Sequence, residues 1–254
     1  MPVQQPSRAL FYAWTAILVV AGSLWAIHTG TQPFDQTMAQ VQIDLSSLSW
    51  EEIQNIQRAA NQLNGQYLMP NAIFSFNQAV PQRHARRGYQ AAGTYWNQHR
   101  VKSVGGGICV LSSAVYQVAL KQPLGILHRT PHQRVMQTVP PGLDATVWEM
   151  VPGGGGEPVD LVVKNQGHPP LQWRTVVENT TLQVSLQGPG QKHWRPATIR
   201  RHTQTGKDGR LCVTVNQQLA GGPQPQQWSR ISRDCYGGLP VRGAPKRTTT
   251  PQME

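Results

Sequence analysis

Gly105-Gly106-Gly107 runs through Ile108 directly into Cys109, and Cys109 opens the stretch Val110-Leu111-Ser112-Ser113-Ala114-Val115-Tyr116-Gln117-Val118-Ala119-Leu120. A cysteine at such a point is placed for nucleophilic chemistry. Val110, Leu111, Ala114, Val115, Val118 and Ala119 recur at three- and four-residue spacing, which predicts a short helix with one broad buried face. Cys109 then falls in the first turn, where backbone N–H groups lack intrahelical partners and the helix dipole is positive, so a thiolate is favoured. The glycines let the chain turn sharply and let a substrate approach the backbone. The same residues also fit a buried core thiol beside an ordinary turn. A nucleophilic cysteine needs a histidine and an orienting group from elsewhere in the chain.

Downstream, Lys121-Gln122-Pro123-Leu124-Gly125 has turn chemistry, and Ile126 to His132 follows as an extended segment in which Pro131 excludes a regular helix. This segment offers His128 and His132. Pro140-Pro141-Gly142 turns the chain into Leu143-Asp144-Ala145-Thr146-Val147-Trp148, which alternates like a strand with Asp144 near its start. The order is thus cysteine at a helix N-terminus, histidine on an extended segment, acid at a strand. Papain- and transglutaminase-like thiol enzymes share that arrangement, an analogy of placement and not of fold. Cys109, His128 and His132 are also soft or borderline metal ligands, but zinc would need a fourth ligand or a water, and no second Cys or His pair lies near. No metal and no cofactor is expected.

These residues have to be positioned by the rest of the chain. Trp50 to Leu63 carries Ile53, Ile56, Ala60 and Leu63 on one face, Ser49 with Glu52 makes a capping box, and Asn64-Gly65 is a stop, which together predict an amphipathic helix. Ile73 and Ser75 alternate with Phe74 and Phe76 as a short strand. Asp160–Asn165, Leu171–Val177 and Thr181–Leu186 are predicted strands forming a meander, and Asn179-Thr180-Thr181 is either a tight turn or a glycosylation sequon. Val151 to Pro158, with glycines 153–156, is a flexible loop and not a phosphate cradle, because no Lys-Ser or Lys-Thr follows it. The fold class expected is α+β: antiparallel β-sheet with a few helices, plus a small C-terminal β appendage at 189–240 and a disordered tail at 241–254.

The chain of 254 residues carries a formal net charge of +11 with 24 Gly and 20 Pro, which fits a loop-rich fold with strands and an anionic polymer or membrane surface as neighbour. Its arginines are dispersed and no nucleic-acid module is present, so no nucleic-acid partner is expected. Leu10 to Ile27 holds no charge, is long enough to span a bilayer, and has Arg8 before it, which predicts a membrane anchor at 1–33 with the remainder exported. A cleaved signal peptide is the competing reading. In an exported protein Cys212 and Cys235 would pair, contributing about 3 kcal/mol, and Cys109 would stay a thiol.

Leu63-Asn64-Gly65 through Ala72-Ile73-Phe74-Ser75-Phe76-Asn77, then Arg87-Gly88-Tyr89, Gly105-Gly106-Gly107-Ile108-Cys109 with Ser112-Ser113 and Tyr116, His132, Pro140-Pro141-Gly142 and Asp144-Ala145-Thr146-Val147 fall in the order of the VanW family. The chain resembles that family over about 51–188, within a domain at 34–188. The resemblance implies Cys109 as nucleophile, His132 as general base and acid, and Asp144 as its orienter, with His128 in reserve. Gly106, Gly107, Val110, Ser112, Ser113, Tyr116 and Arg129 are expected around the oxyanion and the substrate. Val110 stands where the family often has glutamine, and Gln133 where it often has serine, so backbone N–H groups of Cys109 and Val110 would have to serve an oxyanion. The family is associated with glycopeptide-resistance clusters. The resemblance therefore implies an exported cysteine L,D-transpeptidase that forms 3-3 cross-links between peptidoglycan stem peptides. A non-catalytic module holding peptidoglycan or an anionic wall polymer, and an NlpC-type thiol endopeptidase, are the alternatives.

Overall fold

The computed structural model describes residues 34–96, 99–149, 157–190, 195–206, 208–220 and 227–237. The predicted membrane span at 10–27, the glycines at 153–156 and the tail at 241–254 lie outside the described residues. Among the described residues no helix is long and apolar enough to cross a membrane.

The architecture is α+β with antiparallel sheets. A four-stranded sheet is ordered β1 (Gln36–Asp44), β9 (Thr181–Gly188), β8 (Leu171–Glu178), β2 (Tyr67–Leu68). Two helices pack against it, α1 (Trp50–Leu63) beside β8 and α3 (Cys109–Lys121) beside β1 and β9. Trp173, Leu63, Leu111, Leu120 and Val184 are fully enclosed between these layers. Helix α1 begins as its sequence dictates. Ser49 accepts from the Glu52 N–H and Glu52 returns a bond to the Ser49 N–H, while Gly65 at φ +86° follows the last turn.

Two expected strands are altered. The one at 73–76 is β3 (Ile73–Ser75) alone, because Ser75 accepts from the Gln78 N–H and starts a single helical turn, α2 (Phe76–Ala79). At 143–148 only isolated bridges form, Thr130 with Thr146 and Trp148 with Val159. Side chains have taken the backbone groups a ladder would use. The carbonyl of Asp144 accepts from Arg129 Nε, that of Ala145 from Ser112 Oγ, and the N–H of Ala145 donates to Ser113 Oγ.

The expected meander also divides. β8 and β9 pair around a tight turn with Asn179 at φ 52°, but β7 (Val162–Lys164) joins β3 and β6 (Gly125–His128) in a separate sheet. A hairpin of β4 (Ala91–Trp96) and β5 (His99–Val104) leads into the glycine run. At the C-terminal side, β10 (Thr198–Thr205), β11 (Leu211–Gln218) and β12 (Ser229–Tyr236) form a sheet in which Cys212 and Cys235 are register partners joined by a disulfide. Val213, Val215 and Tyr236 of this sheet enter the same buried cluster as α3.

Candidate active site

Cys109 is the first residue of α3, and no side chain caps that helix. Tertiary packing sets its start. Gly105 and Gly107 hold φ of +82° and +94°, and a Cβ on Gly106 would stand 2.4 Å from the carbonyl oxygen of Ala92. The buried Asn55 of α1 ties the turn down, donating to the carbonyls of Gly106 and Gln90, both at 2.9 Å, and accepting from the Gln90 N–H. Beyond the cysteine, α3 buries nearly its whole circumference, Ser112 and Ser113 included, where the sequence predicted one face.

The partly exposed Cys109 thiol donates to the Val147 carbonyl at 3.7 Å, and the His132 ring lies within interaction range of it on the same pocket. His132 Nδ1 meets Asp144 Oδ2 at 2.8 Å, and the same oxygen accepts the His132 backbone N–H at 2.6 Å. Asp144 itself is 1% exposed. Burial alone would drive the thiol up and the imidazolium down, and the charges facing one another overrule it. The hydrogen bond and charge of His132 bring the Cys109 thiol below its ordinary 9.0. Against burial, bonds to Asp144 and Cys109 push His132 up to about 9. Asp144, also opposed by burial, is held below the usual carboxylate range by His132 and Arg129. Both shifts favour the thiolate–imidazolium form of the pair, with the Asp144 carboxylate behind it.

Cys109 and His132 lie on a pocket of about 600 Å³ whose wall includes Gly106, Gly107, Val110, Arg83, Glu149 and Trp148. That volume suits a ligand of drug or short-peptide size. The N–H of Val110 donates to the Gly107 carbonyl at 2.9 Å, so it cannot also serve an oxyanion, which corrects the expectation of a Cys109–Val110 donor pair. Four other expected substrate contacts lie behind the pocket. Ser112 and Ser113 are 0% exposed and bond the Cys109 and Ala145 backbone. Tyr116 is buried beneath Arg129, whose guanidinium carbon sits 4.9 Å from the ring centroid. Arg129 bridges Asp144 Oδ1 at 3.2 Å and Asp234 Oδ2 at 2.6 Å. His128 is exposed and its Nδ1 contacts the Asp160 carbonyl at 2.9 Å, so Cys109, His128 and His132 are not gathered as a ligand set. Among the described residues no group of three or more His, Cys, Asp or Glu is arranged to hold a metal.

Two parts of the site carry no signal in the sequence. Arg83 follows Pro81-Gln82 without any motif, yet it lines the pocket, and its guanidinium donates to Asn77 Oδ1 at 2.8 Å, pairs with Glu149 and adds positive charge near Cys109. Its own pKa is lowered by burial despite the charges of Glu149 and Cys109. Tyr236 and Asp234 reach Asp144 and Arg129 from about a hundred residues along the chain, too far for any local pattern to reveal.

A family model described as VanW like protein matches residues 51–187, a span that includes Arg83, Cys109, His132 and Asp144. The uncharacterized protein YoaR of Bacillus subtilis (strain 168) is 35% identical over 160 residues, 63% of this chain and 49% of YoaR. The vancomycin B-type resistance protein VanW of Enterococcus faecalis (strain ATCC 700802 / V583) is 35% identical over 104 residues, 37% of this chain and 36% of that protein. The chain thus spans about half the length of the first and about a third of the second. No solved structure matches it.

Proposed function

This chain belongs to the VanW family, and on that premise we propose that it is a cysteine acyltransferase of the cell wall, an L,D-transpeptidase acting on peptidoglycan stem peptides outside the membrane to which residues 10–27 anchor it. One observation carries the reading: Cys109 and His132 line the same pocket and interact there, and the His132 ring is bonded from behind to the buried Asp144.

In the reaction, the Cys109 thiolate attacks the carbonyl between the diamino-acid third residue and the D-Ala fourth residue of a donor stem. The oxyanion that forms takes the Cys109 N–H at the helix start, where the dipole is positive. His132 gives its proton to the departing amine, the C–N bond breaks, D-Ala leaves, and a thioester remains on Cys109. A side-chain amine of a second stem then attacks the thioester, His132 takes the amine's proton, and the thiolate departs from a new amide, the 3-3 cross-link. Asp144 keeps the imidazole in the tautomer and orientation that both steps need. Arg83 supplies positive charge for the donor's terminal carboxylate at the pocket wall.

The test is to incubate the full chain with purified tetrapeptide-stem muropeptides beside Cys109→Ala and analyse products by mass spectrometry. The proposal expects free D-Ala and cross-linked dimers from the wild type only. No product from either protein overturns it in favour of a wall-binding module, equal product from both removes Cys109 as the nucleophile, and cleaved stems without dimers mark a thiol endopeptidase.

A further inference from the structure

The family match ends at residue 187, yet the sheet beyond it closes the catalytic constellation from behind. Asp144 accepts four hydrogen bonds, two on each oxygen. Oδ2 takes the backbone N–H and ring Nδ1 of His132, and Oδ1 takes Arg129 Nη2 at 3.2 Å and the Tyr236 hydroxyl at 2.5 Å. The Tyr236 proton has a defined direction, because the hydroxyl oxygen already accepts the Gly142 N–H at 2.6 Å. Arg129 is fixed in turn by Asp234, whose Oδ2 also accepts from Ser232 Oγ at 2.9 Å.

The strand makes this geometry. Ser232, Asp234 and Tyr236 fall at alternate positions of β12 and so share the inward face. Cys235, between the last two, faces the other way and is bonded to Cys212 of β11. The sheet is seated on the site segment by further contacts: Gly237 donates to the Gln133 carbonyl at 2.9 Å, Arg201 Nη1 to that of Pro141 at 3.2 Å, and a Cβ on Gly142 would meet Val215 and Val213 at 2.8 and 2.9 Å.

We propose that Tyr236 and Asp234, on the disulfide-stapled strand β12, are positioning residues for the thiol site, holding Asp144 and Arg129 so that the free edge of the carboxylate faces His132. The proposal rests on the reading of Cys109, His132 and Asp144 as the catalytic triad. Without the Tyr236 hydroxyl, Asp144 Oδ1 keeps only the longer bond to Arg129, the carboxylate gains freedom to rotate, and the imidazolium opposite the thiolate loses its fixed partner.

Cys109 is the one cysteine outside the disulfide, so iodoacetamide alkylation of the oxidised full chain reports on it alone. The pH profile of that alkylation is the readout for wild type, Tyr236→Phe, Asp234→Asn and, as a control for lost stability alone, Val184→Ala. Tyr236→Phe should move the midpoint upward and slow alkylation at neutral pH about tenfold, the scale of one lost bond to a charged group. Asp234→Asn should move it the same way by less, and Val184→Ala should leave it in place while lowering the melting temperature. A Tyr236→Phe profile that stays put or moves down overturns the positioning role while the triad stands. A wild-type midpoint at the value of an ordinary thiol overturns the triad and the positioning role together.

Discussion

Helices α1 and α3 lie against the same four-stranded sheet, yet they are started by opposite means. α1 carries its own instructions: the Ser49–Glu52 box at one end, Asn64-Gly65 at the other, a buried stripe between. α3 has no side-chain cap, begins from glycines whose conformation neighbouring elements dictate, and buries nearly its whole circumference. The difference teaches where the chemistry is allowed to sit. A helix that folds on its own signals makes a scaffold, whereas one whose first turn is set by contacts from Ala92, Glu52 and Asn55 can have its cysteine placed to suit a partner.

The sharpest way to break the contrast is Gly106→Ala. Its Cβ would stand 2.4 Å from the Ala92 carbonyl oxygen and 2.7 Å from that of Gly93, backbone atoms that cannot swing aside. The expected cost is about 3 kcal/mol, with Cys109 alkylation at neutral pH falling as the helix start shifts. Urea unfolding and the alkylation rate measure both; an unchanged pair would mean that the glycines do not position the cysteine.

The charge state of the site gives a second, smaller effect. Because His132 is raised from 6.5 to about 9, its contribution to stability is complete below pH 6.5 and is lost as pH rises through 9. The lowered Cys109 thiol works the other way, its contribution growing as pH rises from its folded value and complete above 9.0. Above the folded Cys109 value the two oppose each other, so the wild-type melting temperature should depend on pH less than that of a variant lacking the thiol. In Cys109→Ala only the His132 part remains, sustained by Asp144, and the melting temperature should fall as pH climbs from 6.5 toward 9. A flat curve in that variant would place a neutral histidine in the site.

The smallest effect belongs to the self-starting helix. Ser49→Ala removes the cap of α1 and should cost about 1 kcal/mol, with the pH profile of Cys109 unmoved. A shifted profile would show that the cap reaches the site through Glu52, which stands against Gly107.

The same contrast explains what the amino-acid order reveals. α1, β8, β9 and the helix behind Cys109 are legible because capping residues, alternation and apolar spacing lie within a few residues of one another. The assignment of β7 to the sheet of β3 and β6 depends on pairing partners far apart in the chain, and nothing local encodes it. Residues 143–148 alternate like a strand, but Ser112, Ser113 and Arg129 claim the backbone groups that would pair. Ser112, Ser113, Tyr116 and Arg129 were recognisable as belonging to the site but not as lying behind it, since motif order carries no depth. Arg83, Tyr236 and Asp234 meet the site only through the folded chain.

The most direct measurement of the central claim is the intact mass of the full chain after brief mixing with a tetrapeptide-stem muropeptide. A Cys109 acyl-enzyme predicts an adduct equal to the donor less D-Ala, mapped to Cys109 and absent in Cys109→Ala. No adduct under conditions where D-Ala is released, or an adduct that survives in Cys109→Ala, would contradict a Cys109 acyl-enzyme.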